Sequence, residues 1–260
     1  MKKALIICSV IASVLISVGI VLLIIGGTFW RGNTNYTVEV FNSEQTVERL
    51  NLSVAAGSTK VEFYEGDSVE IKYEYNSRLG FAVSEENGTV KLHQIKTGWI
   101  GLWGINARRA PAATVKIPTG LVADLTIHIG AGTVTVADGA FGDVKCNVSA
   151  GVLDMGKTDC SSFICEVSAG SFNIDGVSCA SIDCDVSAGS ARFSKVACGK
   201  IDIDVSAGSA SFGILGDEAE YNISVDKSAG SCNVTSHQRP DASKRINIDV
   251  SAGSVFVNFN

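Results

Sequence analysis

The residues in this chain best suited to chemistry are its cysteines. Cys146, Cys165 and Cys184 lie nineteen residues apart, and so do Cys160, Cys179 and Cys198; Cys232 follows and Cys8 stands near the start. Thiols at a fixed spacing can form disulfides, hold a metal, or pack as small apolar side chains. No Cys-x-x-Cys or Cys/His cluster accompanies them, which argues against a metal. The disulfide reading pairs Cys146–Cys160, Cys165–Cys179 and Cys184–Cys198, or Cys160–Cys165 and Cys179–Cys184. The packing reading, two ladders of buried free thiols, is favoured. Other positions of the same repeat interchange Cys with Ile and Val.

Carboxylates are the second candidate. Asp183, Asp185, Asp202 and Asp204 form an Asp-x-Asp pair in each of two successive repeats. Stacked carboxylates can hold Ca²⁺, which takes six to eight oxygen ligands. The repeat lacks the glycine–aspartate nonapeptide of calcium-binding rolls, so a solvated acidic face is the preferred reading and no metal or cofactor is expected. His93, His128 and His237 sit in no recognisable motif. There is no nucleophile elbow, phosphate loop or zinc-protease signature. A carboxylate pair for polysaccharide cleavage is a remote alternative, because the acids follow the repeat instead of breaking it. The chain is therefore read as not an enzyme.

The third candidate is the segment from Thr97 to Ala113. It gathers Trp99, Trp103, Arg108 and Arg109 in a Gly-rich stretch. Aromatics beside arginines suit a peptide, a carbohydrate or a membrane interface. The plainer reading is a loop folded over the end of the domain.

These residues are positioned by a repeat. The tetrapeptide Ser-Ala-Gly-Ser and its variants place glycines at 57, 132, 151, 170, 189, 208, 230 and 253, that is, at Gly57, Gly132, Gly151, Gly170, Gly189, Gly208, Gly230 and Gly253. From Gly132 to Gly208 the interval is a constant 19; the last two are 22 and 23. Seven, five and three positions before each glycine the residue is mostly apolar, as in Ile182, Cys184 and Val186, with polar residues between. Such alternation marks a strand with one buried face. The alternation changes phase after the glycine and twice more, so each repeat has three corners. A glycine at the first corner suits positive φ or close backbone approach.

The repeat thus predicts an all-β fold: a single-stranded parallel β-helix with three faces and about 19 residues per turn. Equivalent side chains stack in ladders about 4.8 Å apart. A disulfide along a ladder is disfavoured, since its Cβ atoms prefer about 3.8 Å. No turn can bury its apolar face alone, so several must stack. A right-handed coil is expected because parallel crossovers have that hand. Leu50, Leu52, Val54, Ala56 and Gly57 match the template, whereas Val69–Tyr75 and Thr89–His93 read as strands of a looser region. The 75 residues from Gly57 to Gly132 are either four turns or a cap.

Before the repeats, Lys2 and Lys3 precede an uncharged stretch from Ala4 to Ile25. Twenty-two such residues span a bilayer core of about 30 Å, and the lysines favour an N-inside orientation. A cleaved signal peptide is the alternative, but Gly26-Gly27-Thr28-Phe29-Trp30 is a poor cleavage site. Cys8 is read as a membrane residue because Ile7 is too large for a lipobox. The resulting organisation is an anchor at 1–27, a linker at 28–45, an irregular β region or cap at 46–120 and regular repeats at 121–260. Net charge is −6; without Lys2 and Lys3, 19 basic against 27 acidic residues leave −8. That balance argues against nucleic acid, which needs Lys/Arg to displace counterions.

Val115-Lys116-Ile117-Pro118-Thr119-Gly120, then Gly130-Ala131-Gly132-Thr133-Val134 and the repeated Val-Ser-Ala-Gly-Ser units, resemble the bacterial "putative adhesin" domain, a family of unknown function. The resemblance covers roughly 46 to 260. It implies a parallel β-helix in the cell envelope and carries over no catalytic residues. Some relatives look tied to envelope-stress signalling. The expectation is a single-pass plasma-membrane protein with an extracytoplasmic structural or binding module facing a protein or glycan ligand. The alternative is an envelope-stress sensor acting through a membrane partner.

Overall fold

The computed structural model of the protein describes residues 36–76, 80–95, 110–239 and 241–260. The expected anchor and the segment holding Trp99, Trp103, Arg108 and Arg109 lie outside the described residues, as does the linker up to residue 35. Among the described residues the one helix is a 3-10 turn at Glu218–Glu220, and no helix is long and apolar enough to cross a membrane.

The described chain is all-β and winds as a solenoid of parallel rungs. Strands pair in register with their copies nineteen residues on: Val144 with Phe163, Phe163 with Ile182, and Ile182 with Ile201. The strands Ser171–Val186 and Ser190–Val205 run unbroken round two corners. Main-chain pairing continues through the corners. Ser149 N donates to Ile129 O at 2.8 Å and Val152 N to Gly132 O at 2.9 Å. The interior backbone is thus satisfied, as burial demands.

Inward residues form one core running the length of the stack. Leu125, Val144, Phe163, Ile182, Ile201, Ile246 and Ile223 make one fully buried ladder. On the next face Phe172, Phe193 and Phe212 fill the interior with Phe163, with ring centroids 4.4 to 5.9 Å apart. The seven described cysteines are free thiols. Cys146, Cys165 and Cys184 stack directly in the core, as the packing reading expects.

The glycine column is required by close approach. A Cβ on Gly132 would lie 2.6 Å from Gly57 O and 2.7 Å from Val54 Cγ1; on Gly170, 2.5 Å from Gly151 O and 2.6 Å from Val148 Cγ1. Within the column only Gly57 has a positive φ, so at the other rungs the absent side chain, and not the dihedral, is what matters.

At both ends the rungs leave sequence order, which strict succession along the repeat does not anticipate. The strand Lys244–Val250 lies between Ser190–Val205 and Tyr221–Lys227, so Ile246 packs on Ile201 and Ile223 lies outermost. Likewise Arg49–Val54 pairs with Asp124–Ile129 on one side and Thr89–Gln94 on the other. At the C-terminal end the chain overshoots to form an end rung and then returns to fill the space inside it; at the N-terminal end it lays the inner rung first, then the end rung, and resumes on the far side of the inner rung.

This winding lets each end be closed. An open rung presents unpaired N–H and C=O groups. At the C-terminal end, residues 235–239 cover the edge of Tyr221–Lys227. Ile223 and His237 exchange main-chain bonds at 3.1 and 2.9 Å, and Ser236 Oγ bonds both N and O of Val225 at 2.8 and 3.1 Å. At the N-terminal end antiparallel strands do this. Phe81–Glu86 pairs with Thr89–Gln94 across a turn with Asn87 and Gly88 at φ 50° and 68°. Glu70–Tyr75 covers Ala112–Pro118, and Thr37–Asn42 covers Glu70–Tyr75. The strands expected at Val69–Tyr75 and Thr89–His93 are therefore present, the first antiparallel. Gln94 completes the end rung: its side chain accepts from Ala56 N at 2.6 Å and donates to Ala56 O at 2.7 Å, in place of a further strand.

Candidate functional site

The outward positions of the first face form ladders as regular as the inward ones. Four places before the glycine column, the residues in stacking order are His93, Ser53, His128, Asn147, Glu166, Asp185, Asp204, Asp249 and Asp226. One half of this face is neutral and the other half carries a carboxylate on five successive rungs. The inserted rung sets the order within this run, placing Asp249 between Asp204 and Asp226. Asp183 and Asp202 stand beside it on the neighbouring ladder. Residues 121–260 hold 17 acidic and 9 basic residues, a net of −8, so the repeats hold more than the whole chain's −6.

Part of this charge is neutralised. Glu166 is bonded by Asn147 Nδ2 at 2.7 Å and paired with Lys145 at 3.3 Å. Asp202 pairs with Lys200 at 2.6 Å and accepts from Asn247 at 2.7 Å. Despite partial burial, those partners hold the Asp202 carboxyl below the ordinary aspartate range. Asp185, Asp204, Asp226 and Asp249 make no ion pair among the described residues. Partial burial, then the neighbouring Asp183, Asp204 and Glu166, raise the Asp185 carboxyl above its ordinary value. A shallow depression of about 410 Å³ runs along these aspartates. Among the described residues no three His, Cys, Asp or Glu side chains converge as a metal site. Carboxylates stacked this way can attract cationic groups at a regular spacing of about 4.8 Å.

The neutral half forms a second depression, about 720 Å³, lined by Ser53, His93, His128, Asn147 and Ser149. Sequence spacing hides this pairing. His93 and His128 are brought to either side of Ser53 only by the out-of-order winding. Of the aromatic–basic segment only the flanks lie among the described residues. Thr89–Gln94 leads into it and Ala112–Pro118 leads out, both on the outermost N-terminal rung.

A family model, Toastrack DUF4097, matches residues 47–260. Solved structures of similar fold include a "putative lipid binding protein" from Parabacteroides distasonis, 13% identical, covering 87% of this chain and 98% of that one at a TM-score of 0.54. Another is a "putative adhesin" from Parabacteroides merdae, 11% identical, covering 87% and 97% at 0.48. A "putative cell adhesion protein" from Clostridium sporogenes is 10% identical, covering 87% and 100% at 0.31. At these identities the likeness is one of fold, and the first alone carries it. No curated protein matches. The family match agrees with the resemblance read from the Ile-Pro-x-Gly strand and the Val-Ser-Ala-Gly-Ser units.

Proposed function

The chain belongs to the Toastrack DUF4097 family, and on that footing we propose that it is a membrane-anchored, extracytoplasmic binding module without catalytic activity. In this reading residues 1–27 cross the plasma membrane once and carry a right-handed coil outside the cytoplasm. The coil presents a rigid face to a protein or glycan ligand at the cell surface. The observation that supports this reading most is the five-rung carboxylate ladder from Glu166 to Asp226. Main-chain pairing fixes the spacing of its groups, so little conformational entropy is lost when a partner binds. At physiological salt the field extends only about 8 Å, so the ladder acts by contact and selects partners with positive charge. The test is binding of the full chain in nanodiscs to a cationic peptide and to a glycan array. The triple variant Asp185→Asn, Asp204→Asn, Asp249→Asn should lose peptide binding, and Trp99→Ala with Trp103→Ala should lose any glycan signal. Undiminished binding in both variants would sink the assignment.

One observation favours the sensor alternative. Thr37–Asn42, within the stretch 28–45 read from the sequence as a linker, is an edge strand with Val38 57% and Val40 58% exposed, and it lies shortly after the proposed anchor. Edge strands recruit strands from partners. Deletion of the gene should then alter the transcriptional response to cell-wall agents while leaving adherence intact.

A further inference from the structure

We propose that the cysteine column at the third corner binds a soft monovalent metal ion, Cu(I) or Ag(I), as a linear bis-thiolate between Cys179 and Cys198. This does not depend on the outer face binding anything.

Cys179 and Cys198 are register partners on adjacent rungs, with Sγ atoms 3.7 Å apart. Each thiol also bonds the carbonyl two residues on, Cys179 to Ser181 O at 3.3 Å and Cys198 to Lys200 O at 3.1 Å, so the two lean the same way. Cys160 stands against Cys179 on the other side. Cys198 is buried, but Cys160 and Cys179 are only half-buried, so an ion can enter from the corner. The core column Cys146, Cys165 and Cys184, with Met155 Sδ 4.0 Å from Cys146 Sγ, has no such opening.

The spacing discriminates between the two things that adjacent thiols can become. A disulfide needs sulfurs about 2.05 Å apart and Cβ atoms near 3.8 Å. The main-chain ladder holds the rungs at about 4.8 Å. Two metal–thiolate bonds of about 2.3 Å in line span about 4.6 Å, so the two Sγ atoms must open from 3.7 Å by side-chain rotation, a span that rungs about 4.8 Å apart accommodate without main-chain movement. Two-coordination is compatible with the finding that no three ligands converge on a point among the described residues. Thiolates are the soft donors that select Cu(I). The reaction involves no oxidation: each thiol releases one proton, the ion forms two metal–sulfur bonds, and the product carries one negative charge. The contact with Cys160 is the first cause that pushes the Cys179 thiol up, to about 12, and the contact with Cys179 raises Cys198 likewise.

The experiment uses the reduced full chain in detergent, anaerobically, titrated with Cu(I) against a chromogenic Cu(I) chelator. The wild type should retain metal that Cys179→Ser with Cys198→Ser gives up by one equivalent, while Cys232→Ser behaves as wild type. X-ray absorption on the singly loaded wild type needs no variant and should show two sulfur neighbours and no nitrogen or oxygen. Equal uptake by wild type and a folded double variant would overturn the proposal. So would nitrogen or oxygen ligation, or a Cys179–Cys198 disulfide in the protein as isolated.

Discussion

Replacing Phe193 by alanine tests the interior most sharply. Its ring is 1% exposed, stacked on Phe212 at 4.4 Å and 10°, tilted against Phe172 at 5.1 Å and edge-to-face with Phe163 at 5.9 Å. Truncating a buried Phe costs about 3–5 kcal/mol, and the value depends on how far the site can collapse. Here the rungs above and below are fixed by main-chain bonds, and the neighbouring Ala191 and Ala210 are too small to fill the gap. The lost ring contacts, about 0.5–1.5 kcal/mol for each pair, are part of that cost and push it towards the top of the range. The upper end, about 4–5 kcal/mol, is therefore expected, or about 8–20 °C in Tm for a domain of this size. Phe256→Ala is the matched control. It removes the same atoms from an outward position, 55% exposed, and should cost under about 1 kcal/mol. Urea unfolding followed by circular dichroism measures both, read as midpoint shifts at constant slope. If the two variants lose equal stability, the assignment of inward and outward positions is wrong.

Other expectations follow from single residues. Gly170→Ala drives a Cβ into Gly151 O and should destabilise by about 1–3 kcal/mol in the same assay. Thr59 is buried among Ala113 and Val134, and its hydroxyl has no hydrogen-bond partner among the described residues. Thr59→Val should therefore stabilise by about 1 kcal/mol, and a loss of stability would show that the hydroxyl is satisfied after all. The Asp185 carboxyl is raised in the folded state. Ionising it therefore opposes folding, in full above its folded pKa and not at all below the ordinary value of 3.8. Asp185→Asn should gain about 0.2–1 kcal/mol at neutral pH. Thermal melts across pH should show that gain vanish in acid.

The interior was readable from the sequence because a stacked coil repeats its environment. Leu125, Val144, Phe163, Ile182 and Ile201 recur every 19 residues, since each meets the same neighbours above and below. The order of the end rungs was not readable for the same reason. The segments around Ile223 and Ile246 match one template, and nothing in either says which lies inside. What separates them is the edge-covering role of Ser236 and His237, a long-range main-chain pairing with no local signature. The N-terminal hairpin did leave a signal, Asn87-Gly88 between alternating strands, which is a strong hairpin turn. The acidic site was half visible. Asp183, Asp185, Asp202 and Asp204 stand out as Asp-x-Asp pairs, and Glu166, Asp226 and Asp249 share the repeat position of Asp185 and Asp204, but the order Asp204, Asp249, Asp226 depends on the slipped rung.

That slipped rung is best tested by methyl NMR on the full chain labelled at isoleucine. Methyl contacts between Ile201 and Ile246, and between Ile246 and Ile223, are predicted, with none between Ile201 and Ile223. A direct Ile201–Ile223 contact, with Ile246 beyond it, would contradict the stacking order and with it the placement of Asp249 between Asp204 and Asp226.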